Sequence, residues 1–275
     1  MSRALSARRR NSCGRLCVTL PWRRPVFSRE GSARSDSQNR WLAGYLAFVG
    51  GFVNSSGFVL IGTFSSHVTG NVGRLANDAA TGQYTAALAA LSLVLCFFAG
   101  AFAASMIIES RFWGGQSSRA YAFALISETL LLLLFTLLSY VTTSAHPRVQ
   151  DAETALLCAA MGLQNALVSR LSGAVVRTTH LTGVVTDLGI ESARWFRFWR
   201  RSLSEVTHFP FVLGRNPAER PAAAKVLLLG TIAASFLAGA SAGAYMSVHW
   251  GHVSMLVAAS AVAACAAYAL RDSRR

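Results

Sequence analysis

Long apolar runs, each near the length that crosses a bilayer, divide most of this chain into six. They fall at 41–61, 84–108, 120–141, 155–176, 222–248 and 253–270, and a helix needs roughly 20 apolar residues to traverse the hydrocarbon. Trp41 opens the first run, where an indole suits the headgroup boundary. The middle of that run is soft and polar, with Gly50-Gly51 followed by Asn54, Ser55, Ser56 and Gly57. The pattern predicts an all-α fold: a polytopic membrane helix bundle of about six spans.

The polar positions carry a second pattern. Ser65-Ser66-His67-Val68-Thr69-Gly70-Asn71-Val72 follows the first run, and Thr178-Thr179-His180-Leu181-Thr182-Gly183-Val184-Val185 follows the fourth. Imidazole, hydroxyl and glycine all weaken an apolar run, so their repetition predicts two copies of one unit meeting at a polar centre. Setting His67 on His180 aligns Thr69 with Thr182, Gly70 with Gly183, Leu75 with Leu188 and Asp78 with Glu191. Upstream, Gly51-Phe52-Val53-Asn54 resembles Gly162-Leu163-Gln164-Asn165; downstream, Phe98-Ala99-Gly100-Ala101 echoes Leu237-Ala238-Gly239-Ala240. Three spans per copy is an odd number, so the second copy must enter from the opposite face. The expected fold is a 3+3 inverted repeat with broken helices at the two His-x-Thr-Gly segments, an arrangement common in secondary transporters. A competing count lets each segment cross as a short helix, giving eight spans and parallel halves. That count puts Arg170 and Arg177 outside, so six is preferred. The expected domains are a basic tail at 1–40, a first repeat at 41–143 and a second at 151–270, with a cytoplasmic insert at 192–221.

Composition agrees with a membrane. The chain of 275 residues is 53% hydrophobic and 14% charged, with mean hydropathy +0.40, whereas a soluble domain carries about 25% charged residues. The net charge of +14 sits mostly in the first forty residues, the stretch 194–201 and the C-terminus. Basic flanks of this kind mark the cytoplasmic side, which places both termini there. Ten arginines, with many serines and two prolines, give residues 1–40 the composition of a disordered segment. An Arg- and Ser-rich, acid-poor start also resembles a transit peptide, and its apolar core is too short for a secretory signal. Arg194-Trp195-Phe196-Arg197-Phe198-Trp199-Arg200-Arg201 has the interleaving that stacks on single-stranded bases, but beside a membrane it reads as an interfacial helix among headgroups. Pro210, Pro217 and Pro221 end any helix beyond it. Three cysteines lie inside apolar runs, and Cys13 and Cys17 lack the partners a zinc site needs.

The phrases around Gly51–Asn54, His67–Asn71, Gly162–Asn165 and Thr178–Gly183, with Asp187-Leu188-Gly189, resemble the YoaK-type bacterial integral membrane family, the domain of unknown function 1275. The likeness covers about residues 41–270 and departs from the family's pattern at Asn54 and His67. It implies a compact multi-span protein of the bacterial inner membrane and supplies no catalytic or binding residues.

Candidate chemistry follows from the polar positions themselves. A substrate pathway is expected along Asn54, His67, Thr69, Gly70, Asn71, Asn165, His180, Thr182, Gly183 and Asp187. Freed backbone groups at a helix break favour ions there, while the bland alternative is that the glycines only pack helices together. Glu128 stands inside the third span, where an acid is costly and is a candidate for proton or ion coupling; otherwise it hydrogen-bonds Asn54 or Ser55. Arg74 and Asp187 occupy places from which they would pair across the repeats; the bland alternative leaves them separate at headgroup level. His67 and His180 match no standard metal-ligand spacing, and no nucleophile elbow, phosphate loop, dinucleotide fingerprint or paired-cysteine site occurs. The expectation is therefore a small secondary transporter or permease for an unidentified solute, not an enzyme, with no cofactor or metal. The alternative is a membrane scaffold or sensor that transports nothing. The expected partners are the lipid bilayer and a small solute, with self-association left open and nucleic acid excluded.

Overall fold

The computed structural model describes residues 27, 34–110, 117–141, 147–174, 176, 178–206 and 223–274. Eight α-helices account for nearly all of these: α1 (Asp36–Ile61), α2 (Val68–Ala80), α3 (Tyr84–Glu109), α4 (Ser117–Val141), α5 (Pro147–Ser172), α6 (Leu181–Val206), α7 (Ala223–Trp250) and α8 (Met255–Asp272). No strand occurs among the described residues. Most of the tail at 1–40, together with His146, Arg177 and the prolines of the insert, lies outside the described residues.

Four stretches are long and apolar enough to cross a membrane: Asp36–Ile61, Tyr84–Glu109, Ser117–Val141 and Ala223–Asp272. The last is cut into α7 and α8 by a single 3-10 turn, Gly251–Ser254, whose glycine takes φ +59. The fourth expected span corresponds to α5, which begins earlier than its apolar run and is too polar to qualify. Asp151, Glu153, Gln164, Asn165 and Arg170 all lie within it. Glu153, Gln164 and Asn165 are tolerated because α5 is an inner helix, with Leu157, Met161, Gln164, Leu167 and Leu171 at zero exposure, while Asp151 and Arg170 lie exposed toward its two ends. A polar group that faces protein rather than lipid finds partners there.

The tail ends sooner than its composition suggested. α1 starts at Asp36, where Ser35 accepts the backbone N–H of Gln38 and the Gln38 side chain accepts that of Ser35. This reciprocal cap fixes a helix start. Phe27 is fully buried against Tyr121 and Tyr268, and its N–H donates to Asp272 at 2.9 Å. Residues 34–40 and Phe27 therefore belong to the bundle.

The helices interlock across the middle of the sequence. α1 packs chiefly on α7, α5 chiefly on α3, and α4 on α8; α2 rests on α3 and α6 on α7. Exchanging each helix for the one four places away maps these contacts onto one another, but the α4–α5 contact, as extensive as α2–α3, has a much weaker image in α1–α8. The register is equally duplicated. A Cβ on Gly51 would meet the Phe236 carbonyl and one on Gly162 the Phe97 carbonyl, while Gly239 faces the Phe48 carbonyl and Gly100 that of Ala159. In the alignment Phe97 matches Phe236 and Phe48 matches Ala159. All four glycines thus let two backbones touch, the close packing by small residues that holds membrane helices together without a hydrophobic drive. The outward face of α3 carries Leu88, Leu95, Phe98, Phe102 and Met106, all exposed, as suits contact with lipid chains.

Candidate functional site

Both His-x-Thr-Gly segments start a helix after a connection that folds back into the bundle. α1 ends at Gly62 in a left-handed conformation (φ +73). The chain then returns so that the Asn54 Oδ1 accepts both the N–H of Ser66 (3.0 Å) and its hydroxyl (2.9 Å). Asn54 lies seven residues before the end of α1, or about 10 Å along the axis. The second copy repeats the device: Thr179 Oγ1 donates to Asn165 Oδ1 at 2.7 Å, and Asn165 is likewise seven residues from the end of α5. Asn165 also donates to the Met161 carbonyl. Gly173 and Ala174 take positive φ at this turn.

The motif has a local reason. In each copy the imidazole lies back over the first helical turn, so that a Cβ on Gly70 would strike the His67 ring and one on Gly183 the His180 ring. A side chain at either glycine would have to displace the exposed histidine ring. His67 makes no side-chain cap. Thr69, Thr182 and both histidines are exposed, whereas Asn71 is buried. Just upstream, the buried hydroxyls of Ser65 and Thr178, equivalent in the alignment, have no partner among the described residues.

The structure brings three of the expected pathway residues together. His180, Gly183 and Asp187 line a cavity of about 400 Å³ with Ala174, Val184, Leu229 and Ile232, between α6 and α7. The first-copy residues do not line it. Arg74 and Asp187 do not pair: both are exposed, and no ion pair joins them. Arg74 lies on an exposed side of α2, which packs on α3, whereas Asp187 lines the cavity beside α7.

An ion pair the sequence did not suggest lies on the inner face of α6. Glu191, 2% exposed, accepts from Lys225 Nζ at 2.8 Å and from Arg194 at 2.9 Å. Lys225, the only lysine in the chain, thereby ties the start of α7 to α6. The Lys225 hydrogen bond is the main cause holding the Glu191 carboxyl below the usual carboxylate range; burial opposes it and Arg194 reinforces it. The uniqueness of Lys225 and the spacing of Glu191 were the available signals.

Glu128 is fully buried on α4, and its partner is neither Asn54 nor Ser55. Gln164 on α5 donates to its Oε1 at 3.1 Å. The alignment sets Gln164 opposite Val53, so this pair has no twin in the first copy. No group of three His, Cys, Asp or Glu side chains suited to a metal gathers among the described residues.

No curated protein and no solved structure matches the chain. A family model described as "Protein of unknown function (DUF1275)" matches residues 42–269, and the chain, helical among the described residues with four stretches long and apolar enough to cross a membrane, belongs to that family.

Proposed function

We propose that this protein is a small secondary transporter, built from two three-span copies of opposite orientation, with both termini on the cytoplasmic side of a bacterial inner membrane. The observation that carries the reading is the pair of re-entrant connections, each held inside the bundle by an asparagine, with a cavity beside the second. Broken helices of this kind present free backbone groups to a solute at depth, and a two-fold arrangement lets one half rock against the other. His180, Gly183 and Asp187 are the proposed contacts for the solute on one side, with His67 and Gly70 the counterparts of the first two and Asn71 beside them. No catalytic residue or cofactor is assigned.

The bonds that satisfy Asn54 and Asn165 favour a second reading, in which the polar centre only fastens the copies together. A thermal-stabilisation screen of solutes separates the two, because a ligand that binds the folded state must raise apparent stability. Transport predicts at least one solute that stabilises the protein and loses its effect in Thr182→Val or His180→Ala. Single cysteines at 74 and 187, in a cysteine-free background, test the orientation. If both react from the same side of the membrane, the flipped arrangement is gone and the fastening role remains.

A further inference from the structure

We propose that Glu128 and Gln164 form a carboxylic acid–amide pair that holds one exchangeable proton at the centre of the bundle. Both side chains have zero exposure. The amide N–H of Gln164 donates to Glu128 Oε1 at 3.1 Å. The atoms left over are Glu128 Oε2 and Gln164 Oε1, two acceptors buried without a partner among the described residues. A buried polar atom left unpaired costs about 1–3 kcal/mol, so two on facing groups call for a common explanation.

One proton supplies it. Added to Oε2, it makes an O–H that donates to Gln164 Oε1, while the amide N–H keeps its bond to Oε1 of the acid. The result is a closed ring of two hydrogen bonds with no acceptor left over. The step is a protonation of the carboxylate and breaks no other bond. An ionised carboxylate would instead need a counter-charge, and none lies against it among the described residues. The titratable groups that feel Glu128 are Cys265 on α8 and Tyr45 on α1, neither of them a cation. The Tyr45 hydroxyl is committed to the Ala261 carbonyl at 2.6 Å. Farther off, Cys158 on α5 faces Cys96 on α3, and His252 packs on Phe135, about two turns along α4. A hard metal cation is a poorer occupant, since it wants about six oxygens and the pair offers three, one of them already accepting from the amide.

The pair also touches the second re-entrant connection. A Cβ on Gly50 of α1 would stand 3.0 Å from both Gln164 Oε1 and Thr179 Cγ2. Gly50 thus lets α1, the amide and the Asn165–Thr179 bracket share one small volume, and movement of that connection disturbs the proton's acceptor. This deepens the transport reading by giving a coupling proton a place, yet the pair is testable with no solute at all.

Infrared difference spectroscopy on the purified full-length protein in H2O and D2O at neutral pH reads the proton directly. The expected spectrum holds a hydrogen-bonded carboxylic acid C=O band that shifts in D2O, disappears in Glu128→Gln and moves toward the free-acid position in Gln164→Leu. Glu128→Gln should keep its thermal stability close to wild type, because two amides close the same ring without a proton. Glu128→Ala should not. If Glu128→Gln fails to fold, the Gln164→Leu band shift decides alone. A carboxylate band in place of the acid band, or stabilisation of wild type by sodium that Glu128→Gln abolishes, overturns the proposal. A protein that shows the band but binds no solute retires transport and leaves the proton pair standing; solute binding without the band does the reverse.

Discussion

α2 and α6 begin with the same phrase and end differently. Each starts under a histidine folded over glycine, and each turns one narrow face inward, Asn71, Leu75 and Asp78 in the first, Val184, Leu188 and Glu191 in the second. α2 then stops at Ala80, followed by Gly82 at φ +75, and hands the chain to α3 at once. α6 runs on to Val206, exposes Phe196 and Trp199 between arginines, and clamps α7 through Lys225. The duplicated start follows a connection tied back to the preceding helix through Asn54 in one copy and Asn165 in the other. The divergent end is exposed at Phe196 and Trp199, where many sequences serve.

The sharpest way to break the equivalence is to attack the glycine contacts in pairs. Gly100→Ala and Gly239→Ala each drive a methyl group into a carbonyl of the opposing helix. Overpacking of that kind costs about 3 kcal/mol. Equal losses in thermal unfolding in detergent are expected, and a clear inequality would show that the copies bear load differently. The asparagine brackets come next. Asn54→Ala leaves two donors of Ser66 unmatched and Asn165→Ala leaves one on Thr179, so denaturant unfolding should register about 2 and about 1 kcal/mol.

A smaller effect separates Glu191 from Asp78. The Glu191 carboxyl is held below the ordinary range, so its stabilising bonds are fully present above the unfolded-state pKa of about 4.3 and are lost as pH falls through the folded-state value. Melting temperature should drop more steeply with acid in wild type than in Glu191→Gln, and Asp78→Asn, lacking an ion pair among the described residues, should follow wild type. Reversing both charges at Arg74 and Asp187 should be the mildest change, within about 0.5 kcal/mol by thermal unfolding, as for exposed groups.

The duplication was legible because close backbone contact demands glycine at fixed places; Gly51, Gly100, Gly162 and Gly239 stood out in the sequence before any contact was known. The helices at all six apolar runs were legible for the same elementary reason, though α5 carries more polarity than a lipid-facing span admits. What stayed hidden depends on which helices meet. Glu128 pointed to a polar partner, but only the packing of α4 on α5 selects Gln164 over Asn54. Arg74 and Asp187 looked complementary on alignment, yet α2 packs on α3 and α6 on α7, which keeps the two side chains apart. Phe27 lies in a stretch whose composition says nothing about a buried aromatic.

The exchange of partners between the copies has a bearing on biogenesis. While the chain is being made, α1 waits with its glycine groove empty until α7 has been synthesised, and α3 waits for α5. A fragment ending after α4 would hold three inserted helices that have lost their main neighbours, and it should be degraded unless the remainder is supplied on a second polypeptide.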